Sequence, residues 1–457
     1  MRSTKLTTGL TIALLAGCAS PGSRPLDTAG VDAALAAPDR ELLAQQAQRL
    51  VHPRLAPMTL DFSKPLTPAA VAVIAVIANP DLRALRSQQQ VADSQAFAAG
   101  LLPDPQVNWG LDRIVSPKDQ GLINGTAAGL TLDLLGALAT RHADLQIART
   151  AAQQVRLDIA WQEWTTAGQA RLLAIRLPLQ QQAARLAEEA NTIAEDLLQR
   201  TLRAAARGDL RGDELAAQRI SAADASARLQ LAARDADATR LALNRLLGLQ
   251  PGEDLRLAAP VALSEWTDPD AAGLFAAARN ARLDLLALAA GYASKEATLH
   301  RAVLGQYPRL AISFNRSRDT GNVRTQGPAI SLDLPLWNRN RGPIAVAAAS
   351  RDQLRSELLA RLHQTRADIA ALVAALHRDE PARLTLGQQL PDLERLAAGI
   401  GAAALRGDAT QPLAAAAQAT ALDKRLAYLA LTQACAEQRL ALALAIGQPL
   451  AVDSVMP

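Results

Sequence analysis

Side chains able to do covalent or metal chemistry are few and far apart in this 457-residue chain. Its five histidines, His52, His142, His300, His363 and His377, are scattered, and no His-x-x-x-His or Glu-x-x-His spacing puts two ligands on one helix face. Beyond the initiator only Met58 and Met456 remain, so a methionine ladder for copper(I) is absent. Neither a catalytic constellation nor a glycine-rich phosphate loop occurs. The residues thus predict no enzyme, no cofactor and no resident metal site, and any energy for a process involving the chain must come from a partner. Lys and Arg number 48 against 44 Asp and Glu, a net +4, with no basic stripe interleaved with aromatics, which excludes nucleic acid as a partner.

One cysteine does carry a chemical expectation. Residues 1–17 combine Arg2 and Lys5 with an apolar stretch through Leu10, Ile12, Leu14 and Leu15, the pattern of an export signal too short to span a bilayer. Leu15-Ala16-Gly17-Cys18 resembles the bacterial lipobox, in which the cysteine is acylated, as with palmitate, and becomes the new N-terminus. Ala19 after it fits delivery to the outer membrane in signals of that kind. Cys18 is therefore the lipidation site, with outer-membrane lipid as a partner. The other cysteine, Cys435, lies in an Ala/Leu helical run and reads as a small buried hydrophobe, so a lipidated Cys18 leaves no intramolecular disulfide.

The elements around these residues follow from composition and repetition. Hydrophobic residues make up 49% of the chain but aromatics only 3%, so Ala and Leu carry the apolar share, which suits long, closely packed helices rather than a ring-filled globule. Laid against itself at a shift of about 200 residues, the chain repeats its punctuation. Asn79-Pro80-Asp81-Leu82 recurs as Ala281-Arg282-Leu283-Asp284-Leu285, Gly100-Leu101-Leu102-Pro103 as Gly305-Gln306-Tyr307-Pro308, and Leu130-Thr131-Leu132-Asp133-Leu134 as Ile330-Ser331-Leu332-Asp333-Leu334. Arg207-Gly208-Asp209 recurs as Arg406-Gly407-Asp408, and Leu247-Gly248 as Ile446-Gly447. An internal two-fold repeat follows. The predicted layout is a signal peptide over 1–17, a lipidated segment over 18–67, a first repeat over 68–256, a second over 257–447 and a tail over 448–457.

Each repeat is predicted to hold a strand pair and a helical hairpin. Val107, Trp109 and Leu111 alternate with Asn108, Gly110 and Asp112, and Ala128, Leu130, Leu132 and Leu134 with Gly129, Thr131 and Asp133, giving a strand pair at about 106–135. Leu310, Ile312 and Phe314, then Ile330, Leu332 and Leu334, do the same at about 309–335. The hairpins fall at about 139–248 and 344–446. The rod from 139 to 206 has Pro178 as its one breaker and would run roughly 100 Å at ~1.5 Å per residue. Pro381 is expected to interrupt the second rod, with His377-Arg378-Asp379-Glu380-Pro381 as a solvated break. Leu179, Ala183, Leu186 and Ala190, spaced 4-3-4, predict coiled-coil packing.

Four strands with one apolar and one polar face have the length of strands crossing a bilayer. They cannot close alone, since membrane barrels begin at ~8 strands and open edges are not tolerated in lipid, so spanning requires oligomerisation.

From Pro68 to Gly447 the sequence resembles the TolC-type outer-membrane efflux proteins. The resemblance rests on Asn79-Pro80-Asp81-Leu82, Gly100-Leu101-Leu102-Pro103-Asp104-Pro105, the run Leu334-Pro335-Leu336-Trp337-Asn338-Arg339-Asn340-Arg341-Gly342, and the glycines of the helical turns. The motifs flanking the strand pairs are most similar to the heavy-metal cation branch. The resemblance implies a homotrimer whose twelve strands form one β-barrel and whose coiled-coil helices form a periplasmic α-barrel, lipid-anchored in the outer membrane of a Gram-negative bacterium. It implies a passive exit duct for heavy-metal cations or drugs, with a periplasmic membrane-fusion adaptor and a proton-driven inner-membrane pump as partners. Gly208 and Gly407 would lie at the periplasmic tips, with Arg207, Asp209, Arg406 and Asp408 as adaptor-docking residues; by composition alone these are solvated charges around two helix turns. Asp213 and Glu214 would form the constriction, although the stretch after Gly407 has no carboxylate to match them. Asp133 and Asp333 would face the barrel lumen and favour cations. The rival reading is a periplasmic coiled-coil structural or adaptor lipoprotein without a pore.

Overall fold

The structure, a computed structural model, describes residues 27–115, 123–132, 134–209, 212–259, 263–264, 266 and 269–449. The leader, Cys18 and Asp133 lie outside the described residues. Two short helices come first, α1 (Thr28–Leu35) and α2 (Arg40–Gln48), started by Asp27 and Asp39, whose carboxylates accept the Gly30 and Glu41 N–H groups. Helix α3 (Pro68–Ala78) is apolar all round and accordingly buried almost throughout, against α5 (Leu134–Ala206) and α6 (Gly212–Leu246). The two predicted repeat boundaries lie side by side, because Leu66 donates to the Arg256 carbonyl at 2.8 Å and accepts from Ala258 at 2.9 Å.

The Asn-Pro-Asp-Leu motif is a helix start with a second task. Asn79 Oδ1 caps α4 (Pro80–Ala99) by accepting the Leu82 N–H, while its Nδ2 donates to the Leu246 carbonyl at the end of α6. In the Ala281-Arg282-Leu283-Asp284-Leu285 motif, Arg282 precedes α8 (Leu283–Leu304) and donates to the Ala445 carbonyl at the end of α10 (Gln411–Ile446). Each motif thus ties to a helix end, one through an amide and the other through a guanidinium.

Helix α5 (Leu134–Ala206) runs 73 residues straight through Pro178, and α6 (Gly212–Leu246) returns beside it. After α7 (Ala271–Ala281) and α8, the second rod α9 (Arg341–Arg406) is likewise unbroken through Pro381 and Pro391, and α10 (Gln411–Ile446) returns. The expected interruption at Pro381 is therefore corrected. A proline removes one N–H, but a helix whose flanks are held elsewhere can absorb that loss. Leu177 and Leu179 flank Pro178 in packed clusters, and Glu380 beside Pro381 is buried in an ion-pair network. The 4-3-4 seam is present: Leu179, Ala183, Leu186 and Ala190 of α5 pack with Leu422 and Leu429 of α10. A further cluster joins Ala278 of α7 to Ile369, Leu376, Leu442 and Ile446.

The strands are β1 (Gln106–Asp112), β2 (Gly125–Leu132), β3 (Arg309–Arg318) and β4 (Arg324–Asp333). Rather than two separate pairs, they make one antiparallel sheet in the order β1-β2-β3-β4, joined across the halves by β2 and β3 with Leu130 opposite Phe314. Mainly α-helix with one small antiparallel sheet is the architecture. No single described helix is long and apolar enough to cross a membrane.

Candidate functional site

The sheet register sorts its residues onto two faces. Val107, Trp109 and Leu111 of β1 sit opposite Leu130, Ala128 and Thr126 of β2; Leu130 and Leu132 sit opposite Phe314 and Ile312; Ile312 and Leu310 sit opposite Ile330 and Leu332. Directly paired residues share a face, so these build one continuous apolar surface. It is open to solvent in the single chain, with Trp109 72% and Ile330 70% exposed. The other face carries Asn108, Thr131, Ser313, Asn315, Ser317, Thr325 and Ser331. Asp333 belongs to this polar face and is exposed, directly across from Arg309, so this carboxylate has a cation opposite it. Where the strands meet the helices, Tyr307 and Trp337 are exposed at 66% and 96%.

The junctions are built by the predicted motifs. Asn340, in the left-handed region at φ 55°, starts α9 and donates from Nδ2 to the Ala302 carbonyl at the end of α8, 2.6 Å away. In the first half Arg141 donates to the Gly100 carbonyl at 2.7 Å and closes the end of α4.

At the far end of the rods the two Arg-Gly-Asp turns have the same geometry. Gly208 has φ 80° and Gly407 φ 86°, and in each turn the following Asp N–H reaches back to the carbonyl five residues earlier, Ala204 or Ala403, closing the helix. Arg207 Nε donates to Asp209 Oδ2 at 2.9 Å and Arg406 Nε to Asp408 Oδ2 at 3.2 Å. Both pairs are exposed, where such pairs stabilise by ~0–1 kcal/mol at most. A cation and an anion thus flank each turn in a fixed place. Arg200 near the end of α5 donates to Gln411 at the start of α10, which brings the two turns to one end of the molecule. Asp213 and Glu214 occupy the exposed first turn of α6, where the helix dipole favours carboxylates. The first turn of α10 has none and is capped by the Thr410 hydroxyl.

Neither a protein-family model nor a curated protein matches this sequence. Solved structures match over most of its length. CusC, described for folding and transmembrane channel formation, aligns at 14% identity and TM-score 0.67 over 87% of this chain and 98% of its own. The CmeC outer membrane channel of Campylobacter jejuni aligns at 14% and 0.69 over 83% and 85%, and the outer-membrane channel OprN at 15% and 0.69 over 94% and 98%. The fold is that of the TolC-type outer-membrane efflux channels. All three comparison proteins are channels rather than enzymes.

This TolC-type fold holds two buried charge networks that sequence reasoning missed. Residues 377–381 are not a solvated break: Glu380 is buried and accepts from Arg383 Nε at 3.0 Å and from Arg439 Nε at 2.7 Å. Arg439 also donates to the Ser264 carbonyl and lies 5.1 Å over the Trp266 ring. Burial first, and then the charge of Glu380, push the Cys435 thiol up to about 11, and the side chain is the small buried residue expected. In the second network Arg282 is bidentate to Asp284 and lies 4.6 Å over the Trp161 ring. The one sequence signal was Glu380 and Arg383 at i, i+3, which is the spacing of countless surface pairs. Among the described residues no group of three or more His, Cys, Asp or Glu is placed to hold a metal.

Proposed function

We propose that this protein is the outer-membrane channel of a tripartite efflux system, a passive exit duct for substrate energised by an inner-membrane pump. The observation that carries the reading is the sheet: its apolar face is exposed, its polar face lies behind, and β1 and β4 leave open edges. Lipid tolerates no open edge, and barrels begin at ~8 strands, so three copies closing twelve strands satisfy both conditions. An adaptor without a pore gives no reason for an exposed apolar sheet, which is why the channel is preferred.

In this reading the two halves are an internal repeat, the polar face with Asp333, and with Asp133 next to β2, lines the lumen, and Cys18 carries the lipid anchor. The Gly208 and Gly407 turns form the periplasmic tip that docks the membrane-fusion adaptor through Arg207, Asp209, Arg406 and Asp408, and Asp213 and Glu214 form the constriction. Heavy-metal cations are the proposed substrate, supported by the motifs flanking the strand pairs, with drugs as the alternative.

Fractionation tests the channel reading. A heat-modifiable, trimer-sized band in the outer-membrane fraction is expected, and a soluble periplasmic monomer from Cys18→Ala would contradict it. Deletion should lower tolerance to zinc, cobalt or copper; unchanged metal tolerance with new drug sensitivity moves the substrate to drugs.

A further inference from the structure

At the β3–β4 turn the apolar face of the sheet ends in arginine. Arg318 is directly opposite Arg324, and Arg316, one outward position earlier on β3, is opposite Gln326 and diagonal to Arg324. Counting back by twos along β3 gives Phe314, Ile312 and Leu310, so all three guanidinium groups rise from the face that carries the exposed apolar surface. Like charges directly opposite across two strands destabilise a sheet. Among the described residues Arg316 and Arg324 form no ion pair, and the Arg318 side chain donates to the neutral Asn322 side chain at 2.7 Å. The carboxylate in the turn itself, Asp319, accepts the Val323 N–H at 2.9 Å and shapes the turn. The two carboxylates within the strands, Asp112 and Asp333, lie on the polar face.

The turn-side margin of the apolar band therefore carries three arginines that no described carboxylate pairs with. Guanidinium groups recognise phosphate bidentately and strongly at the edge of a low-dielectric region. We infer that Arg316, Arg318 and Arg324 form a rim that binds the phosphate groups of phosphorylated lipid in the outer leaflet, so that the channel holds an annulus of anionic lipid on its external side. The inference rests on the channel reading, in which this turn is external. Cross-strand repulsion in the isolated hairpin is then relieved by the lipid phosphates.

The test uses full-length trimer in detergent, stripped of lipid and titrated with diphosphoryl lipid A, its phosphate-free derivative, or phosphatidylcholine, with bound lipid counted by native mass spectrometry. Retention of diphosphoryl lipid A should exceed that of the phosphate-free derivative by about tenfold or more, with each arginine near the surface contributing. The preference should shrink in high salt and vanish in the triple variant Arg316→Gln, Arg318→Gln, Arg324→Gln. Inorganic phosphate at millimolar concentration should not displace the lipid; displacement would reduce the rim to a simple anion site and overturn the proposal. Equal retention of phosphorylated and phosphate-free lipid by wild-type trimer overturns it without any variant. Trimer size and pore conductance, measured on the same preparation, separate failure of this inference from failure of the channel reading.

Discussion

Glu380 and Arg439 are 59 residues apart in sequence, yet Oε1 and Nε meet at 2.7 Å with 3% of each side chain open to solvent. The pair ties α9 to α10 beside Pro381, where the helix has lost a backbone donor. Removing one partner from a buried ion pair leaves the other charges unpaired, so Glu380→Ala should destabilise by about 3–5 kcal/mol. Joint replacement of Glu380, Arg383 and Arg439 by apolar residues of similar volume should cost far less. Urea midpoints of the detergent-solubilised protein check this, and a single variant as stable as wild type would show that the network contributes nothing.

Asn79 performs two tasks that can be separated. Asn79→Asp keeps an acceptor for the Leu82 N–H but loses the donor to the Leu246 carbonyl, whereas Asn79→Ala loses both. Loss of a cap costs ~1 kcal/mol and an orphaned buried group ~1–3 kcal/mol. Thermal melts should therefore rank wild type above Asp and Asp above Ala; equal melts for the two variants would mean that the tie to α6 is the only task.

The turn glycines differ in what surrounds them. A Cβ on Gly407 would meet nothing within 4 Å, so Gly407→Ala should cost only the left-handed backbone strain of about 1–2 kcal/mol. On Gly447 it would fall 2.8 Å from the Arg282 Cα, so Gly447→Ala should add about 1–3 kcal/mol of overpacking to that strain. Comparing the two denaturation midpoints decides; equal losses would mean that the Arg282 backbone can move aside.

His52 gives the fold an acid-sensitive point. Its Nδ1 accepts the Arg54 N–H at 3.0 Å, which leaves Nε2 to donate to the Ala160 carbonyl at 3.1 Å, a fully satisfied neutral ring. Burial holds its pKa below the ordinary 6.5, outweighing the Ala160 carbonyl and the Glu163 charge that favour the cation. The unfolded chain therefore takes up the proton first, and this contribution to stability, complete above pH 6.5, declines as pH falls from there toward the lower folded value. His52→Asn, which keeps an acceptor near Nδ1, should flatten that part of the pH profile; an unchanged profile would place the acid sensitivity elsewhere.

How much was legible depends on whether an element's partners are near in sequence. Strands β1 to β4 announced themselves by alternation, and the turns at Gly208 and Gly407 by a glycine between repeated charges, because periodicity and left-handed backbone are local properties. The joining of the two strand pairs through Leu130 and Phe314 was not readable, since that pairing spans the two halves of the chain. Pro381 misled for the same reason. Proline's local effect is visible in sequence, while the packing of Leu177 and Leu179 or the arginines around Glu380 that holds the helix together is not. Residues 377–381 looked solvated because four of the five are polar or charged, and only the arrival of Arg439 and Trp266 from elsewhere turns Glu380 inward. The arginine rim at Arg318 and Arg324 became visible only once the register set them face to face.

The central claim is that this chain assembles into a pore, and ion conductance across a planar bilayer tests it most directly. Purified trimer added to one side should produce stepwise, long-lived conductance increments of uniform size. Folded, trimer-sized protein that inserts without any conductance would contradict the account and leave a coiled-coil lipoprotein in its place.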